Sequence, residues 1–127
     1  MAITVTRAKT DMIGTPASPA SIAASATNTS TALDMTTGGV VNASVGLTLI
    51  AGATAPTSAV TIRFNFSEDG TNYVQDGADI SLTMANATTY TYRYEPPDSA
   101  QKTQVVVING TVNAITAWCQ GSTLAVS

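Results

Sequence analysis

Histidine is absent from this chain, and cysteine occurs once. Without His the usual general base, the commonest metal ligand and the Ser-His-Asp route to an activated nucleophile are all missing. The lone Cys119 has no partner for an internal disulfide and cannot by itself build a thiolate zinc site. It reads as a small buried apolar residue. No G-x-x-x-x-G-K, G-x-G-x-x-G or G-x-S-x-G motif occurs. These absences point away from an enzyme and give no reason to expect a cofactor or metal. Charge is also scarce, at 10 % of residues where ordinary soluble domains carry about 25 %. The net charge is −3, and the cations Arg7, Lys9, Arg63, Arg93 and Lys102 are scattered along the sequence. A nucleic-acid partner needs a basic patch, so none is expected. No apolar run approaches the length of a membrane span, so no membrane partner is expected either. The opening MAITVTRAK lacks the basic and apolar regions of a signal peptide, which implies synthesis in a cytoplasm.

What the chain does contain is strand signal. Its 127 residues suit one domain, able to bury roughly two-thirds of its unfolded surface. Thr is the commonest residue, and its branched Cβ suits a pleated surface. A weakly charged, Thr/Ala-rich surface also repels copies of itself little, a hint of assembly. ITVT opens the chain as a short alternating strand. The Pro/Ser/Ala/Thr-rich segment 14–31 reads as an extended arm or loop or as a strand in SIAASAT, with a short helix from Ser18-Pro19 to Ala26 as a further option. VNASVGLTLI puts Val41, Ala43, Val45, Leu47 and Leu49 on one face, a period of two. AVTIRFNFS does the same with Val60, Ile62, Phe64 and Phe66. TQVVVING ends in Asn109-Gly110, a favoured hairpin pair, and predicts TVNAITAWCQ as its return strand. Seven to nine short strands between Gly, Pro and Asn turns predict an all-β fold: a single-domain β-sandwich, jelly-roll-like or immunoglobulin-like, with an extended N-terminal segment.

The densest pattern is FNFSEDGTNYVQDG, residues 64–77. Asp69-Gly70 predicts a tight type I′ turn, returning the chain through Asn72, Tyr73 and Val74. Tyr73 would then face the aromatic strand. If exposed, it could stack on a sugar ring while Asp69 and Asn72 bond the hydroxyls. Tyr90, Tyr92 and Tyr94 alternate along TYTYRYE and share one face, half in the core and half available to a protein or glycan. Asp69, Asn72, Tyr73, Tyr90, Tyr92 and Tyr94 are therefore the candidate contact residues. Trp118 is expected in the core. Glu68, Asp69, Asp76 and Asp79 match no calcium-loop spacing and read as solvated turn carboxylates. Sequons at Asn28, Asn42, Asn65, Asn86 and Asn109 reflect a chain rich in Asn, Ser and Thr.

The order of segments, from TALDMT through AGATAPTSA and VTIRFNFSEDGTNYVQ to YTYRYEPPDSAQKTQVVVING, resembles small β-sandwich structural proteins of tailed bacteriophages. Capsid decoration (cement) proteins and tail or fibre modules are the nearest kinds. The resemblance implies a non-enzymatic virion protein on the capsid surface, often homotrimeric, that stabilises the phage head by clamping major capsid subunits. Segment 14–31 would suit an arm reaching over a neighbour. The F-x-x-S-x-D-G-T-N-Y string is also similar to one in galactose-binding-like (discoidin) sandwiches. Those are usually longer and carry cysteines. That likeness implies a carbohydrate-binding module as the alternative, with a glycan as ligand.

Overall fold

The computed structural model describes residues 2–126. Eleven strands are present among them: β1 (Val5–Ile13), β2 (Ala20–Ile22), β3 (Thr27–Thr29), β4 (Leu33–Asp34), β5 (Val40–Ala51), β6 (Val60–Ser67), β7 (Val74–Gln75), β8 (Ile80–Leu82), β9 (Thr89–Tyr94), β10 (Lys102–Ile108) and β11 (Ile115–Val126). They form two antiparallel sheets. One runs β1-β11-β5-β9, with β2 also on β11; the other runs β3-β10-β6-β7, with β4 on β10 and β8 on β6. The long strands from β5 onward leave one sheet for the other at β5/β6, β8/β9, β9/β10 and β10/β11, which makes the sandwich jelly-roll-like.

Period two explains the core. Val45, Leu47 and Leu49 from one sheet meet Val60, Ile62, Phe64, Val105 and Val107 from the other, all buried. Ile115, Ala117 and Cys119 complete the layer from β11. Val41 shares the sequence phase of Val45 but is 60 % exposed, because it falls at a bulge where the register passes from Asn42 opposite Leu124 to Val40 opposite Ala125. Leu33 crosses the sandwich to lie on Gly121, where an added Cβ would stand 2.6 Å from its Cδ1. Cys119 is fully enclosed, and burial pushes its thiol pKa up to about 12. Such a thiol is inert.

Several sequence expectations change here. The first strand runs on to Ile13, well beyond ITVT. Segment 14–31 contains no helix and is no free arm. Within it β2 pairs with β11 and β3 with β10, and Ile22 enters the core, so the segment bridges the two sheets of its own sandwich. Asn109-Gly110 does not close a hairpin. Strand β10 lies in one sheet and β11 in the other, and neither Asn109 nor Gly110 has the positive φ of a type I′ turn. Asn109 is buried instead, and its Nδ2 donates to the carbonyls of Ile22, Ala23 and Asn113 at 3.0–3.1 Å. The pair builds a corner between sheets.

Candidate functional site

The sequence-predicted residues fall into two separate places. At the end of β6 the chain does return on itself, with Phe66 opposite Val74 and Asn65 opposite Gln75. The turn is not type I′. Gly70 is left-handed at φ 82°, but Asp69 is not. The loop is organised by the Asp69 carboxylate. Its Oδ1 accepts from the backbone N–H of Thr71 and Asn72 and from Ser67 Oγ, at 2.7–2.9 Å. Its Oδ2 accepts from Asn72 Nδ2 at 2.8 Å. These bonds hold the Asp69 pKa far below the usual carboxylate range, the Asn72 N–H first among them. Asp69 and Asn72 are thus occupied with each other. Tyr73 is half-buried, and burial raises its phenol pKa. It sits beside β7, in the sheet opposite the aromatic strand.

Tyr90, Tyr92 and Tyr94 occupy the inward face of β9, an edge strand, and close the flank of the sandwich. Tyr94 stacks on Phe64 with ring centroids 4.7 Å apart and planes 14° from parallel. Its hydroxyl donates to Asp76 Oδ2 at 2.7 Å. Burial, and then that carboxylate, raises the Tyr94 pKa. The Tyr90 hydroxyl accepts from the Ala85 N–H at 2.9 Å. Two of the three phenols therefore bond the chain's own groups through their hydroxyls. Among the described residues no group of three or more Cys, Asp or Glu side chains is placed to hold a metal.

The outward face of the same sheet carries a feature the sequence reading missed. Residues directly opposite one another on paired strands share a face. The register therefore lines up three outward rows: Trp118, Thr48 and Thr91; then Asp11, Gln120, Gly46 and Arg93; then Lys9, Ser122 and Ser44. Trp118 alternates with buried Ala117 and Cys119, so it points away from the core. Gly46 leaves a gap in the middle row. The result is an open groove of about 300 Å³ walled by Trp118, Arg93, Thr91, Lys9, Gln120 and Ser122. Gln120 Nε2 donates to Asp11 Oδ1 at 2.9 Å, and Arg93 touches Glu95 at 3.2 Å. The signal was present in ITAWCQGS: Ile115, Ala117 and Cys119 are in phase, and Trp118 is out of phase with them, beside Thr116 and Gln120.

No protein-family model matches the chain, and no curated protein matches it in sequence. Solved structures do share its architecture. The infectious bursal disease virus VP2 subviral particle aligns over 95 % of this chain and 32 % of its own, with a TM-score of 0.58 and 10 % identity. The PBSX exported protein XepA aligns over 91 % of this chain and 36 % of its own, at TM-score 0.60 and 12 % identity. Dimeric latent PorU from Porphyromonas gingivalis aligns over 98 % of this chain and 13 % of its own, at TM-score 0.60 and 10 % identity. At these identities the likeness is one of fold. The chain spans about a third or less of the length of each.

Proposed function

We propose that the chain is a non-enzymatic β-sandwich module of an assembled surface structure, of the virion tail or fibre type, that works by binding rather than turnover. One observation carries this reading. The β1 end of its sheet overhangs the sandwich. Val5 to Asp11 are exposed throughout, although Thr6, Ala8 and Thr10 lie opposite Ala125, Thr123 and Gly121 on the core side. Four of the exposed large hydrophobics, Ile3, Val5, Val41 and Val126, belong to this end, and Val5 pairs directly with Val126. An exposed apolar patch joined to a free strand edge is what a protein partner covers. A neighbouring copy of the chain suits it, because the surface carries little like charge.

Light scattering behind a sizing column tests this. The chain should run as an oligomer at micromolar concentration and tenfold lower. The double variant Val5→Asp/Val41→Asp should be a folded monomer by circular dichroism. A wild-type monomer at both concentrations would remove self-assembly from the proposal.

A second reading keeps the capsid decoration role, with the same overhang set against major capsid subunits and a homotrimer as the working unit at the capsid surface. The shared fold with a subviral particle favours it. Co-sedimentation with capsids separates it from the tail or fibre role. A glycan site built on Tyr73 and the Tyr90/Tyr92/Tyr94 face has less support, because Tyr90 and Tyr94 are bonded within the molecule.

A further inference from the structure

We propose that the groove on the outward face of the β1-β11-β5-β9 sheet binds a carboxylate-bearing oligosaccharide, with Trp118 stacked on a sugar ring and Lys9 and Arg93 taking up the negative charge. This stands apart from the overhang and its partner. Of the four tyrosines only Tyr92 borders it; Tyr73, Tyr90 and Tyr94 do not.

Three observations carry it. First, Trp118 is the chain's only tryptophan and is spent outside the core, on a wall of the groove. An indole beside hydroxyl and amide groups is the usual means of holding a pyranose, whose C–H face stacks while its rim hydroxyls bond. Thr91, Ser44, Ser122 and Gln120 supply those groups around the groove.

Second, nothing in the fold requires glycine at position 46. Its φ is not left-handed, and an added Cβ would meet nothing nearer than Gln120 O at 4.0 Å. Glycine inside a strand is destabilising against alanine. Here the cost goes with one visible effect, the depression between Gln120 and Arg93. Gly121, by contrast, is forced by Leu33.

Third, the groove's own lining is cationic, although two acids stand beside it. The chain carries net −3, yet Lys9 and Arg93 line the groove and no carboxylate does. Of the neighbouring acids, Asp11 is engaged by Gln120. Glu95 pairs with Arg93, with both side chains largely exposed at 65 and 72 %. Such a pair is worth little and yields readily to a ligand carboxylate. Lys9 makes no ion pair among the described residues. It stands on β1 and Arg93 on β9, three strand spacings across and one row along, roughly 16 Å between backbones. That span suits a short acidic oligosaccharide rather than a single sugar. Two cations are too few for a polyanion such as nucleic acid, which is held through many phosphate contacts.

Because Trp118 is the only indole, intrinsic fluorescence reads the groove directly. The full chain is titrated with oligogalacturonates and sialyllactose, and in parallel with neutral cello- and chito-oligosaccharides. The expected result is a saturable change in Trp118 emission with the acidic series, about tenfold tighter than with the neutral one. That preference should fade as salt approaches about 1 M, where screening is nearly complete. Lys9→Gln/Arg93→Gln should lose it with an unchanged circular dichroism spectrum. Gly46→Val, which fills the depression, should weaken both series. Equal binding of neutral sugars, or acidic binding untouched by the double variant, would overturn the charge assignment. No change in Trp118 emission with any acidic oligosaccharide would overturn the site, leaving the face to a protein partner or none. Neither outcome bears on the oligomer test.

Discussion

Gly121 and Leu33 form a contact in which the smaller residue is obligatory. A Cβ at position 121 would lie 2.6 and 2.7 Å from the two Leu33 methyl carbons. Both residues sit between the sheets, so Leu33 has nowhere to retreat. Gly121→Val should therefore destabilise by about 1–3 kcal/mol, the usual range for overpacking, seen as a lower urea midpoint at unchanged slope. Tyr94 illustrates a different residue-scale question, core or contact. The stacked ring and the bond to Asp76 make it part of the sandwich flank. Its exposure to a partner was the ambiguous part of the sequence. A period of two tells which residues share a face, but not which face the second sheet will cover. Trp118 shows the reverse. Its size suggested the core, while its phase along ITAWCQ pointed outward, and phase prevailed because adjacent strand residues cannot share a face.

At the scale of elements, turns and corners decide the topology, and here the sequence misleads. Asn-Gly is a hairpin signal because both residues tolerate φ > 0. In this chain the Asn109 side chain instead takes three carbonyl partners, two at the end of β2 and one further along its own connection, and β10 and β11 part into different sheets. Asn109→Ala would leave those carbonyls short of a donor, and a loss of about 1–3 kcal/mol is expected by denaturant titration. The two carboxylate-centred turns give the fold an acid limit. Asp34, after accepting from Thr37 and Thr36, titrates near 2 instead of the ordinary 3.8. Asp69 is lowered too, by Asn72, Thr71 and Ser67. A carboxylate whose folded pKa is depressed contributes stability above its unfolded pKa and loses it as pH falls through the folded value. Melting temperature should be flat above about pH 4 and fall toward pH 2. Asp34→Asn should shrink that fall. A melting curve unchanged by acid would remove these turns as stabilising elements.

At the scale of the molecule, the two proposed surfaces differ in kind and so in response to salt. The overhang at Ile3, Val5, Val41 and Val126 is apolar, and burial of apolar area is not weakened by screening. The groove depends on Lys9 and Arg93 and is weakened by it. An oligomer that persists in high salt, on a chain whose sugar binding does not, is the expected combined result. Oligomerisation lost in salt would instead place charged groups such as Arg7 and Asp11 in the interface.

The sequence by itself determined the class of structure. Strand identity follows from alternation within a few residues, so Val45, Leu47, Leu49, Val60, Ile62 and Phe64 were legible as core, and the all-β sandwich with them. The missing His and single Cys likewise limited the chemistry without any structure. The tertiary structure alone decided which strands pair, and hence which distant residues meet. Lys9 reaches the row beside Gly46 and Arg93 because β1 lies on β11, β11 on β5, and β5 on β9. No local pattern encodes that order. It is set by burying both sheets' apolar faces at once, a condition on the whole chain.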